Sequence, residues 1–83
     1  MAIDAREPVL SIPDLETLIE SEIVEGYSDG LEGFPCGENR SRSYWHGWRN
    51  GMVDSGRQQK DDAQIILARM IVDYQRKGNQ NDW

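Results

Sequence analysis

Tyr44-Trp45-His46-Gly47-Trp48-Arg49-Asn50-Gly51-Met52-Val53 is the stretch that decides the fold. Tyr44, Trp48 and Met52 fall four apart, the spacing of one face of an α-helix, and Trp45 flanks that face. Asn39, Ser41 and Ser43 offer N-caps ahead of it, and Asp54-Ser55-Gly56 weakens or ends it. Trp48 shares its face with Tyr44 and Met52 and is the expected core tryptophan.

Gly33-Phe34-Pro35-Cys36-Gly37 precedes this helix and reads as a loop, because Pro35 and two glycines break the period. Further upstream, Leu15, Ile19, Ile23, Tyr27 and Leu31 recur every four residues, with Leu18 and Val24 widening the stripe. Ser11-Ile12-Pro13-Asp14 supplies a start signal, with proline in the first turn and acids at the positive end of the dipole. The spacing predicts one amphipathic helix over residues 13–31. Gly26 and Gly30 each cost about 1 kcal/mol against alanine. Tyr27 and Leu31 stay on the stripe, so the helix is expected to run through them. Four apart, the two glycines make a ridge that another backbone or an aromatic ring can approach closely.

Downstream, Asp61 or Asp62 can cap a third segment. Ala63, Ile66, Leu67, Met70, Ile71 and Tyr74 form its stripe, and Ile65 and Val72 lie off centre. The expectation is a single all-α domain over residues 11–77. Within it, residues 23–57 form a core of two helices packed across the Gly/Pro/Cys loop, and residues 61–77 an extra helix. Residues 1–10 read as a frayed or extended N-terminus and residues 78–83 as a polar tail. The apolar residues of the third segment span more than one face. They point to a homodimer through residues 63–74, with folding back onto the first two helices as the alternative.

The whole chain has 83 residues, 37% apolar and 29% charged. That is room for one small domain with a modest core. No run approaches a membrane span, and the start lacks a signal-peptide pattern. One cysteine, Cys36, cannot make an internal disulfide, which fits a cytoplasmic protein. One cysteine and one histidine make a Cys/His zinc site unpromising, and no phosphate-loop motif is present. No cofactor or metal is expected. The net charge of −6 is unevenly spread. Residues 1–38 hold ten acids and one base, Arg6, while residues 39–60 hold five bases and one acid, Asp54. Either two faces meet different partners, or the acidic helix pairs with the basic one.

Cys36 and His46 are the only obvious nucleophile and base, and nothing else marks a reaction, so a non-enzymatic protein is expected. The chemistry-bearing stretch interleaves Arg40, Arg42, Arg49 and Arg57 with Tyr44, Trp45, His46 and Trp48. Arginines contact phosphates and aromatic rings stack on unpaired bases. The alternative is that Trp45 and Trp48 anchor a small helical core.

The order Gly26-Tyr27-x-x-Gly30-Leu31-x-Gly33, Pro35-Cys36, Arg42-Ser43, Tyr44-Trp45-x-Gly47-Trp48-Arg49-x-x-Met52-x-Asp54 resembles the ribosome modulation factor family, including small relatives in bacteria, plasmids and phages. The resemblance covers about a third of the chain. It implies two helices joined by a loop and packed through the glycine ridge and the tryptophan. It also implies binding to the small ribosomal subunit, near the messenger-binding region of its RNA, that favours inactive ribosome dimers. Carried over by position, Arg42, Trp45 and Arg49, with Arg40 and Arg57 beside them, are the RNA- or partner-binding candidates. Gly26, Tyr27, Gly30, Tyr44, Gly47, Trp48 and Met52 form the motif core, and Cys36 falls at the loop cysteine. The family's namesake is basic and this chain is acidic, so contact with RNA is expected to be weak and salt-sensitive. Two functions follow as expectations. One is a ribosome-associated modulator that represses or protects inactive ribosomes. The alternative is a small acidic inhibitor or adaptor, of phage or mobile-element origin, that occupies a basic, nucleic-acid-binding surface of a partner protein.

Overall fold

The computed structural model describes the backbone of residues 7–80 and the side chains of residues 7–76. Among the described residues the chain is all-helical: α1 (Ile12–Leu15), α2 (Glu20–Leu31), α3 (Arg42–Asp54) and α4 (Asp62–Gln80). The predicted loop between the second and third of these is present, and α2 runs through Gly26 and Gly30 as expected.

The single helix expected over residues 13–31 is instead two, α1 and α2. Ser11 caps α1 by accepting from the Asp14 N–H at 3.2 Å. The Thr17 hydroxyl then donates back to the Asp14 carbonyl at 2.6 Å. Ile19 is extended, at φ −92° and ψ 115°. Its N–H leaves the helical ladder and donates to Ser43 Oγ at 2.8 Å, and Ser43 is buried. A straight helix would carry residues 12–18 away from α3. The break keeps Asp14 within reach of Arg42, so two tertiary bonds outweigh the local periodicity.

Helices α2 and α3 end alike. The Gly33 N–H donates to Gly30 O and that of Phe34 to Asp29 O, at 3.1 and 3.0 Å. The Gly56 N–H donates to Val53 O and that of Arg57 to Met52 O, at 3.0 and 2.9 Å. Gly33 and Gly56 have φ of 82° and 83°, the left-handed turn of the Schellman motif.

The centre of the fold is a contact between two backbones. Gly26 and Gly30 of α2 lie against Gly47 and Gly51 of α3, all four buried. A Cβ on Gly26 would overlap the Tyr44 carbonyl, and one on Gly30 that of Trp48. In return, Gly47 faces the Ile23 carbonyl and Gly51 that of Tyr27. Each helix presents a ridge of two small residues, four apart, to the other. At that separation short polar reaches close the seam. Tyr27 Oη donates to Asp54 Oδ2 at 2.6 Å, Trp48 Nε1 to the Phe34 carbonyl at 2.7 Å, and Tyr44 Oη to Asp29 Oδ2.

Side-chain burial is thin elsewhere. Tyr44, at 3% exposed, is buried with Val9 and Leu67. Val9 lies in the segment expected to be frayed, and it is a core residue because it fills the space where α3 meets α4. Trp48, the expected core tryptophan, is half-buried, its indole lying along the seam toward the loop. Residues 1–6 of the expected N-terminal segment and 81–83 of the expected tail fall outside the described residues. Helix α4 continues to Gln80, past the expected end at residue 77. The side of α4 turned inward carries Ala63, Gln64, Leu67, Ala68 and Ile71. Ile66, Met70 and Tyr74 of the predicted stripe are exposed, because the stripe is wider than the surface available to cover it.

Gly47→Ala tests this contact. On propensity alone, alanine would stabilise α3 by about 1 kcal/mol. The added methyl meets a carbonyl that cannot rotate away, and overpacking of this kind costs about 1–3 kcal/mol or more. A lower urea midpoint for Gly47→Ala is expected. A raised midpoint would mean that the glycines are not held by contact.

Candidate functional site

Helix α3 displays the candidate binding residues on two sides. At 100° per residue, Arg42, Trp45, His46 and Arg49 share the side facing α1 and α4. Tyr44, Gly47, Trp48 and Gly51 share the side facing α2, and Arg40 and Arg57, flanking the helix, reach toward α2. The five candidates therefore do not converge on one patch.

Each arginine is held from within the chain. Arg42 grips Asp14 with both terminal nitrogens, at 3.0 and 2.6 Å, and its Nε donates to the Glu7 carbonyl at 2.8 Å. The Arg42 hydrogen bonds hold the Asp14 carboxyl below its ordinary value, against a smaller opposing effect of burial. Arg49, only 12% exposed, forms an ion pair with Asp61 and lies 4.6 Å over the Trp45 ring. Arg40 lies 4.0 Å over the Tyr44 ring, 3.6 Å from Glu25 and 4.0 Å from Asp29. Arg57 donates to the Leu31 carbonyl at 2.8 Å, at the negative end of the α2 dipole. Burial, and then the Asp29 hydrogen bond, push the Tyr44 phenol up. The basic stretch is thus tied to acids on α1, α2 and the α3–α4 link.

The motif core has a different place. Gly26, Gly30 and Gly47 make the backbone contact, Tyr27, Tyr44 and Trp48 bond across it, and the Met52 backbone meets Gly30. These residues are brought together, as a seam and not as an exposed surface.

Helix α4 is attached through Asp61, one of the two expected caps, and through Gln64 and Asn50, which the sequence reading passed over. Gln64 N–H donates to Asp61 Oδ1 at 2.9 Å and Asp61 N–H to Gln64 Oε1 at 3.1 Å, a reciprocal cap. Gln64 Nε2 then donates to Asn50 Oδ1 at 3.2 Å, and Asn50 Nδ2 lies 3.4 Å from His46 Nε2. The Asp61-x-x-Gln64 spacing was the available signal for the cap. The pairings of Asp14 and Asn50 have no local signature.

His46 lines a small cavity with Val9, Leu67 and Ile71. It sits on the α4-facing side of α3. The loop that holds Cys36 attaches at Trp48, on a different side. Among the described residues no group of three or more His, Cys, Asp or Glu side chains is placed to hold a metal ion. No helix among them is long and apolar enough to cross a membrane.

Comparison with protein-family models, with curated proteins and with solved structures gives no match in any of the three.

The His46 environment sets an acid response. Burial, then the positive charges of Arg49 and Arg42, hold its imidazole below the ordinary 6.5. Below pH 6.5 the unfolded chain binds the extra proton before the folded one does. The contribution of His46 to stability is therefore complete above that pH and lost as pH falls through the folded value. Urea midpoints for the parent should decline below pH 6.5, ahead of the carboxylate range. His46→Gln should flatten that decline. An equal decline in both proteins would remove His46 as its source.

Proposed function

We propose that this chain is a non-enzymatic ribosome-associated modulator of the kind the ribosome modulation factor family represents, docking on the small subunit to repress or protect inactive ribosomes. The supporting observation is that Gly26, Tyr27, Gly30, Tyr44, Gly47, Trp48 and Asp54, which carry much of the resemblance, lock α2 onto α3. A resemblance built from packing residues is a resemblance in fold, and a shared fold supports a shared function only by analogy.

One observation favours a second reading, the acidic adaptor. The four arginines meant for phosphate are engaged within the chain, while Glu20, Glu25 and Glu32 of the α2 region are exposed and the net charge is −6. Electrostatic attraction then runs toward a basic protein surface.

Charge reversal of the arginines would break internal pairs, so the discriminating variant is Glu20→Lys with Glu32→Lys. Co-sedimentation with small subunits over a salt series is the measurement. The ribosome reading expects the parent to pellet at low salt, with a shallow loss of affinity as salt rises. An RNA contact should tighten in the double variant. If the subunit is bound through a basic protein, the double variant should pellet less. No pelleting of the parent at any salt would sink the ribosome reading.

A further inference from the structure

Helix α4 meets the rest of the fold along one narrow side. Leu67 is buried there, with Ala63, Gln64, Ala68 and Ile71 half-buried beside it. The adjoining side carries Ile66, Met70 and Tyr74, which are 44%, 41% and 60% exposed. Spaced four apart, they form one continuous ridge. Ile12 and Pro13 of α1 share a shallow groove with Met70 and Tyr74 and extend the apolar surface.

We propose that this ridge pairs with the same ridge of a second copy of the chain, antiparallel, about a two-fold axis at Met70. Symmetry and charge choose that occupant. With the axis at Met70, Ile66 meets the partner's Tyr74, a smaller side chain against a larger one, and Met70 meets the partner's Met70. Ridges of the every-fourth-residue kind interlock at a crossing angle of about 50°. The contact is isologous and closes on itself.

Arg69 and Asp73 flank the ridge, one of each sign and both exposed. The antiparallel arrangement brings Arg69 of each copy close to the partner's Asp73. A flank of this kind attracts its own copy. Along α4 itself, from Ile66 to Tyr74, it offers no excess of acid to a basic partner and no excess of base to an acidic one, and Glu16 beside Tyr74 is the neighbouring acid from the α1 side. The chain carries −6 overall, so two copies repel each other elsewhere. The charge-balanced face of α4 is where that repulsion is weakest. A single helix ridge lies at the low end of stable interfaces, about 1,200 Å² in total. The pairing is therefore a concentration-dependent one, and it does not rest on the ribosome reading.

Sedimentation equilibrium of the full chain from a few micromolar to several hundred tests this, with helix content followed by circular dichroism. The expected mass rises toward twice the 9.5 kDa of one chain. Met70→Glu should hold it at one chain with helix content unchanged. Val72→Glu, on the far side of α4, should leave the dimer intact. Arg69→Asp should weaken the dimer at least several-fold, and Arg69→Asp with Asp73→Arg should restore it. A parent that stays monomeric throughout would overturn the proposal and leave the ridge to a different partner. A dimer that survives Met70→Glu, or a charge swap that fails to restore pairing, would overturn this ridge and its orientation.

Discussion

The four-glycine contact between α2 and α3 sets the terms for everything around it. Two helices separated by ordinary side chains have axes 8–10 Å apart, and their polar tips rarely span the gap. Here glycine ridges let carbonyl groups of one helix sit over the Cα atoms of the other. The closeness brings a tyrosine of each helix to an aspartate of the other, Tyr27 to Asp54 and Tyr44 to Asp29. It brings the Trp48 indole to the loop carbonyl of Phe34. A chain with few buried side chains thus gains cohesion from backbone contact and from hydrogen bonds to charged acceptors, which are stronger than neutral ones. The helix propensity lost at each glycine, about 1 kcal/mol, is the cost of that geometry.

The charge segregation of the sequence follows the same logic. Three of the acids in residues 1–38 pair with arginines at or beside the basic helix. Asp14 on α1 and Glu25 and Asp29 on α2 each face an arginine at or beside α3. Of the two readings open at the sequence level, the internal one accounts for Arg40 and Arg42, while Arg49 turns to Asp61 and Arg57 to the Leu31 carbonyl. An arginine that must leave a bidentate carboxylate to meet a phosphate forfeits that pair. Such a residue adds less to nucleic-acid affinity than a solvated one. Partially exposed pairs like these contribute modestly one by one. Together they place α1 and the α3–α4 link against α3.

Helical class, the loop over residues 33–37, the Gly26/Gly30 ridge and the Asp61 cap were all legible, because each has a local signature of spacing, breaker or cap. The break at residues 16–19 was not. Leu15, Ile19 and Ile23 keep helical spacing across it, and only Ser43 and Arg42, more than twenty residues away, give a reason to interrupt it. Val9 was missed because a lone apolar residue in an extended segment has no period to read. The facing of α4 was left open for a related reason. Periodicity finds the stripe but not how much of it the rest of the chain can cover. Of the candidate site, the residue types were legible and their partners were not. An arginine looks the same in sequence whether it faces a phosphate or Asp14.

That distinction bears on what a motif of this kind can mean. Of the residues by which the chain resembles ribosome modulation factors, the glycines, tyrosines, Trp48 and Asp54 lie in the α2–α3 seam. Changing one of them would change the fold before it changed a surface. Two chains can therefore share these seam residues and still differ in the surface around them. Among the described residues, the exposed Glu20 and Glu25 of α2 and the ridge of α4 lie outside the resembling pattern. The seam explains why the helices are where they are. Partner choice is left to the residues those helices hold outward, and the motif residues of the seam do not specify them.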